Sequence, residues 1–275
     1  MAKTINTNEH PLCCLCGGHR PTETVEHFPP KVFFQSPSQY PRNADHRFPA
    51  CLICQARSRQ YDQFFSMLTY TPFSGNMSAC DRAHFDKVFR GVANNMGQEF
   101  VDFGVQVLSR SPNGQTSTFD LMTGATYKSM VTFGWKLFAT LHYKHMNAVL
   151  SSRKGLICFS TKPNIHYIEA GVLRKNFEGF IEATSYVPLE SSNKNTPTST
   201  HFQYRAGMNP SGNGAIFIAR LNSFALLAGF TFPDVSRLCE QDLRFARNSQ
   251  FRIRPMPNGP KNVSMTHIQR MMSST

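Results

Sequence analysis

Cys13-Cys14-Leu15-Cys16-Gly17 opens the informative part of this chain, and Pro49-Ala50-Cys51-Leu52-Ile53-Cys54-Gln55 answers it. Between them lies Glu26-His27-Phe28-Pro29-Pro30-Lys31. Cys13 with Cys16, and Cys51 with Cys54, each have the C-x-x-C spacing of a zinc knuckle. Two such pairs separated by a few tens of residues supply the four thiolates of one tetrahedral Zn²⁺. Cys14 and Cys16 form only C-x-C, so Cys14 is the neighbour left out. A disulfide fits less well: the N-terminus Met1-Ala2-Lys3-Thr4-Ile5-Asn6 has no apolar signal segment, and one bridge does not need C-x-x-C twice. The loop closed by the zinc carries a carboxylate beside a histidine. The metal is therefore expected to hold a reactive segment in shape.

Working outward, the 275 residues and 40% hydrophobic content allow a substantial core and one or two domains. Cys80, Cys158 and Cys239 are scattered and read as buried thiols. The longest apolar run, Phe224 to Phe230, is far short of the ~20 residues of a membrane span. A soluble protein of a reducing, cytoplasmic compartment with no membrane partner is expected. The formal net charge is +12, from 29 Lys and Arg against 17 Asp and Glu, which favours an acidic polymer, nucleic acid first. From Leu121 to Ala170 the one acidic residue, Glu169, faces Lys128, Lys136, Lys144, Arg153, Lys154 and Lys162. That stretch is expected to form a phosphate-facing surface.

The pattern of elements predicts an α+β fold. Two short strands carry Thr24 to His27 and Val32 to Phe34, a polar loop spans 36–47, and a helix runs from about Cys54 to Leu68. Gln55, Ser58, Arg59 and Asp62 form its polar side. Ser78 caps a second helix with Phe85, Val88, Phe89 and Val92 on its core face. Gln98 to Leu108 reads as a strand, and Tyr127 to Leu150 as the longest helix. Beyond Lys154 the chain turns to β. Strands are expected at Ile165–Ile168, Phe180–Ala183, His201–Arg205, Ala215–Arg220 and Ser223–Phe230, with a hairpin tip at 209–214. Three regions result: 1–75 around the knuckles, an α+β region at 76–250 with an antiparallel sheet, and a basic, poorly ordered tail at 251–275.

Hydrolysis of a phosphodiester needs an activated water and positive charge on the scissile phosphate. A histidine near neutral pKa suits the general base, and a carboxylate suits a hard divalent ion. Glu26-His27 offers both. Adjacent strand residues face opposite sides, so both serve one site only at a strand end or bulge, or if one acts indirectly. A second ligand should come from the helix after Cys54. Gln55 is the better placed and Asp62 the better chemical ligand. Seven residues separate them, about 10 Å along a helix, so they are alternatives. Lys31, Arg57 and Arg59 are candidate phosphate contacts.

The combination Cys13-x-x-Cys16-Gly17, Glu26-His27-x-Pro29-Pro30-Lys31 and Pro49-Ala50-Cys51-x-x-Cys54, followed by a helix, resembles the zinc-knuckle branch of the HNH (His-Asn-His, ββα-metal) endonuclease superfamily. The resemblance covers residues 13–68. It implies an N-terminal zinc-stabilised ββα-metal unit; the composition of the remaining residues, which the resemblance does not cover, suggests a larger α+β domain that selects a target or makes an oligomer such as a homodimer. The resemblance implies His27 as general base, Glu26 as the acidic metal-site residue, and His46, or in its place Asn43, as the central residue that orients the base. The family's last ligand, usually Asn or His, falls on Gln55. That departure adds a methylene and loosens the carbonyl. The implied activity is metal-dependent cleavage of DNA, ahead of RNA, with Mg²⁺, Mn²⁺ or Ni²⁺ as the catalytic ion, in settings such as phage defence. The alternative is a zinc-stabilised nucleic-acid-binding protein that does not cut, which accounts for Gln55 directly. A third reading makes the unit an interaction scaffold.

Overall fold

The computed structural model describes residues 10–35, 40, 46–70, 78–102, 124–151, 154–163, 181–187, 189, 202–209, 211–222, 225–234, 237, 239–242 and 252–255. The fold is α+β with antiparallel sheets. Strand β1 (Thr24–His27) pairs antiparallel with β2 (Arg47–Ala50), which sets His27 opposite Arg47 and Glu26 opposite Phe48. Proline cannot donate to a ladder, and Pro49 sits where that costs little, in a two-stranded sheet. Its carbonyl accepts from the Cys14 N–H at 2.9 Å, which ties the first knuckle to β2. The second knuckle runs directly into helix α1 (Leu52–Tyr70). The residues from Phe64 to Tyr70 are all buried, so the end of α1 is embedded rather than amphipathic.

Helix α2 (Ala79–Met96) begins at Ser78, whose hydroxyl accepts from the Asp81 N–H at 3.1 Å, as the capping pattern predicts. It buries a stripe at every fourth position: His84, Val88, Val92 and Met96. Helix α3 (Gly124–Met146) packs against α1 and against the large sheet. A helix covered on two sides needs apolar residues all round, which explains its loose stripe. The large sheet has the order β4-β5-β6-β7-β3-β8, formed by β3 (Leu156–Pro163), β4 (Ser185–Val187), β5 (Phe202–Met208), β6 (Ala215–Leu221), β7 (Ala225–Phe232) and β8 (Arg252–Pro255). Every pairing in it is antiparallel. The hairpin between β5 and β6 turns at Asn209–Gly214, as expected, with Met208 opposite Ala215.

Phe133 of α3 is the hub where these layers meet. Its ring stacks on Phe65 at 4.5 Å between centroids and lies 5.0 Å from Phe33 and 5.3 Å from Phe28. Phe28 also meets Phe202 of β5 edge-on. One hydrophobic cluster therefore extends from the knuckle cysteines to Leu227, across the boundary expected at residue 75.

Several elements differ from expectation. Val32-Phe33-Phe34 is not a strand: Lys31–Phe33 is a single 3₁₀ turn, with the Phe33 N–H donating to the Pro30 carbonyl at 3.0 Å. Pro29 and Pro30 lack the donors a strand would use. Residues 98–102 are helical, because Gly97 (φ 47) ends α2 and its carbonyl accepts the N–H groups of Phe100 and Val101. Ile181-Glu182 is also helical, and the strand starts at Ser185. Arg252–Pro255, expected in a disordered tail, pairs with β3. The strand expected at Ile165–Ile168 lies outside the described residues. Cys80 and Cys239 are free thiols, but exposed rather than buried. Among the described residues no helix is long and apolar enough to cross a membrane.

Candidate functional site

Cys13, Cys16, Cys51 and Cys54 are buried, and their sulfurs all lie within 4.8 Å of one another. A tetrahedral Zn²⁺ with Zn–S bonds of about 2.3 Å spaces its sulfurs slightly closer than that. The cluster can therefore hold a metal such as zinc. Gly17 (φ 65) and Gly18 (φ 78) turn the chain behind Cys16 in a conformation that glycine adopts freely, and the Gly18 N–H returns to the Cys13 carbonyl at 3.0 Å. In the second knuckle the Cys54 N–H points at the Cys51 sulfur at 3.5 Å. Hydrogen bonding from Cys13 and Cys54 pulls the Cys16 thiol far down, while Cys54 is driven up by hydrogen bonds to Cys13 and Cys16. Neighbouring thiols cannot all ionise unaided, and a divalent cation removes that conflict. Cys14 stays outside the group. Burial, followed by the charges of Cys13, Glu26 and Cys16, pushes its thiol up.

A second cluster lies where β1, α1 and α3 converge. Glu26, Asp62 and Lys136 are 6%, 6% and 1% exposed. The Lys136 ammonium is 2.9 Å from Glu26 Oε1, donates to Asp62 Oδ2, and donates to Ser58 Oγ at 3.2 Å. Its three protons are thus all used. Burial acts to lower the ammonium's pKa, but Asp62 and then Glu26 hold it above its ordinary value. The other carboxylate oxygens, Glu26 Oε2 and Asp62 Oδ1, are buried without a partner. Two carboxylates against one ammonium leave the cluster short of positive charge. Orphaned anionic oxygens of this kind are satisfied by a cation or ordered water. Carboxylate oxygens are the preferred donors of hard divalent ions.

A cleft of about 620 Å³ opens beside this cluster, lined by Glu26, His27, Lys31, Gln55, Arg59 and Asp62 among others. His27 ends β1, so it and Glu26 reach one cleft despite being adjacent in the strand. Burial, followed by the positive charges of Lys31 and Arg47, lowers the His27 pKa to about 4. The ring is therefore neutral at physiological pH, with a nitrogen lone pair available. Arg47, its cross-strand partner, has a buried Nε without a partner.

The remaining expected site residues separate into several places. Gln55 lines the cleft, but its amide donates to the Val25 carbonyl at 3.0 Å and its Oε1 accepts from Thr24 Oγ1 at 3.4 Å. It fastens α1 to β1. His46 is buried, and its Nδ1–H donates to the Phe28 carbonyl at 2.8 Å, clamping the residue after His27. Asn43 lies outside the described residues. Arg57 and Arg59 are exposed on α1, and Arg59 faces the cleft. Lys144 lies over the Tyr204 ring, and Lys154 is exposed with Asp234 3.8 Å away. The side chain of Arg153 lies outside the described residues. Lys136 corrects the expectation of a phosphate-facing residue: it is buried because two carboxylates need it. Lys128, in the same stretch, pairs with Glu99 at 3.0 Å, so 121–170 is not one free basic face. His142 meets Thr231 and His145 meets Tyr204.

Sequence reasoning missed two placements. Arg47 opposite His27 was hidden because β2 was not recognised as a strand reaching back to it. The inward role of Lys136 had one available signal, its place three residues after Phe133 on the same helix face. Comparison with protein-family models, with curated proteins and with solved structures finds no match to this chain.

Proposed function

We propose that the protein is a metal-dependent endonuclease of the HNH type that hydrolyses phosphodiester bonds in DNA. The observation that carries this reading is a neutral, half-buried His27 sharing one cleft with Lys31, Arg59 and the Glu26–Asp62 pair. In this reading a water attacks phosphorus while its proton passes to the free nitrogen of His27, and the bond to the leaving oxygen breaks. Lys31 and Arg59 bind the phosphate and offset the charge that develops on it. A divalent ion, held by Glu26 and Asp62 rather than by Gln55, would supply further positive charge at the scissile group. His46 acts indirectly, fixing the backbone next to the base. The zinc of the four cysteines is structural and keeps β1, β2 and α1 in register.

The test is plasmid cleavage after dialysis against chelator, with Mg²⁺, Mn²⁺ or Ni²⁺ added back. His27→Ala should lower the rate by about 10²–10⁴-fold, the usual contribution of a general base, and leave zinc content and DNA binding intact. Cleavage that survives His27→Ala at the wild-type rate overturns the mechanism. Two observations favour the second reading, binding without cleavage: Lys136 already bridges the two carboxylates, and Gln55 is committed to β1. Wild-type protein that binds DNA but cuts none with any of the three ions supports that reading.

A further inference from the structure

Buried lysines are rare, and this one comes from outside the ββα arrangement, from the far side of the core. Its ammonium takes one oxygen from each carboxylate and leaves the other two buried without a partner, in residues that line the cleft. We propose that Lys136 is the resident cation of the Glu26–Asp62 pair: a positioning residue that holds both carboxylates when no ion is bound and sets how tightly their free oxygens hold a divalent ion. This rests on the reading that the pair seats the ion. Lys136, Glu26 and Asp62 come from α3, β1 and α1, so the folded chain preorganises the seat.

Two consequences follow from charge alone. With the lysine present, a divalent ion turns a cluster of formal charge −1 into +1. Without it, the ion exactly neutralises two carboxylates. Repulsion between an ammonium and a divalent ion within a few ångströms exceeds a tenfold change in affinity even at an effective dielectric of about 20. The lysine therefore keeps the seat ordered and the ion exchangeable.

The experiment is Mn²⁺ binding to the zinc-loaded full-length protein, read by electron paramagnetic resonance and by the Mn²⁺ dependence of the melting temperature. Mn²⁺, a hard ion, does not compete for four thiolates. Lys136→Met should bind Mn²⁺ at least roughly tenfold more tightly than wild type and gain more stability from it. Lys136→Arg keeps the charge and should stay near wild type. Glu26→Gln and Asp62→Asn should lose the binding. If Lys136→Met does not fold alone, Mn²⁺ should restore folding and chelator reverse it. Equal Mn²⁺ affinity in Lys136→Met and wild type, or an unfolded variant that Mn²⁺ does not rescue, overturns the proposal. Neither readout uses cleavage. A wild type that binds Mn²⁺ this way but cuts no DNA rejects the nuclease reading alone.

Discussion

Replacing the lysine and replacing one of its partners should have very different costs, and the structure sets their order. Lys136→Met leaves Glu26 and Asp62 facing each other, 6% exposed each, with no counter-charge. Removing one member of a buried ion pair typically costs 3–5 kcal/mol. Here two carboxylates lose the same partner and Ser58 Oγ loses its donor, so a value near 5 kcal/mol is expected at pH 7 in chelator-treated, zinc-loaded protein. Asp62→Asn is milder. It leaves Glu26 and Lys136 as a balanced pair, and the new amide oxygen still accepts from the ammonium. It also removes a cost that the wild type carries. Burial raises the Asp62 carboxyl from its ordinary 3.8 to about 6, with Lys136 pulling down and Glu26 pushing up. That difference corresponds to roughly 3 kcal/mol at pH 7. The change should therefore be within about 1–2 kcal/mol of neutral.

The sign of the pH dependence follows. A carboxyl whose folded pKa is raised stabilises most below its unfolded value, and that contribution is lost as pH rises from about 4 to about 6. Asp62→Asn should thus gain on wild type as pH rises through that window. Urea denaturation followed by the fluorescence of Trp135, the only tryptophan, measures each variant at pH 5 and pH 7. Equal losses in the two variants, or a larger loss for Asp62→Asn, would refute the charge argument.

Freshly purified protein should contain one zinc per chain, and Cys51→Ser should lose it and aggregate; elemental analysis and solubility check this. Affinity for DNA should fall with salt, and neutralising Lys31, Arg57 and Arg59 together should flatten the salt slope by up to ~0.9 per lost phosphate contact. Buried Lys136 should contribute nothing to that slope. Phe133→Ala should cost about 3–5 kcal/mol in urea denaturation, because three rings close around a vacated site that none can fill.

The parts of this site that were legible in the sequence are those whose signal is local. The two C-x-x-C pairs find each other because thiolates at that spacing have one common chemical use. Thr24 to His27 reads as a strand because it is short, β-branched at its start and bounded by Pro29-Pro30. Ser78 reads as a cap because Asp81 follows three residues on. What was not legible depends on distant partners. The 3₁₀ turn at Lys31–Phe33 contradicts the β propensity of Val32 and Phe33, because two prolines and burial against α1 decide it. Gln55 falls where the resemblance implies a metal ligand, but its extra methylene lets it reach β1, and hydrogen bonds to Thr24 and Val25 then occupy it. Lys136 reads as a surface charge until Glu26 and Asp62 are brought beside it from positions far away in the sequence.

That last displacement changes what the N-terminal segment is. A ββα arrangement held by zinc would, by itself, expose Phe28, Phe33 and Phe65 and bury two carboxylates without a cation. Helix α3 resolves both problems with residues one turn apart: Phe133 fills the space among the three rings, and Lys136 meets the carboxylates. Residues at i and i+3 share a helix face, so one face of α3 completes the core and the site together. The opposite side of α3 lies on the large sheet, with Phe138 against Phe217 and His142 on Thr231. The sheet thereby fixes the height at which Lys136 enters the cleft wall. A shift of α3 by one turn would move its ammonium about 5 Å and leave both carboxylates unpaired. The geometry beside His27 is consequently set by α3 and the large sheet as well as by β1, β2 and α1.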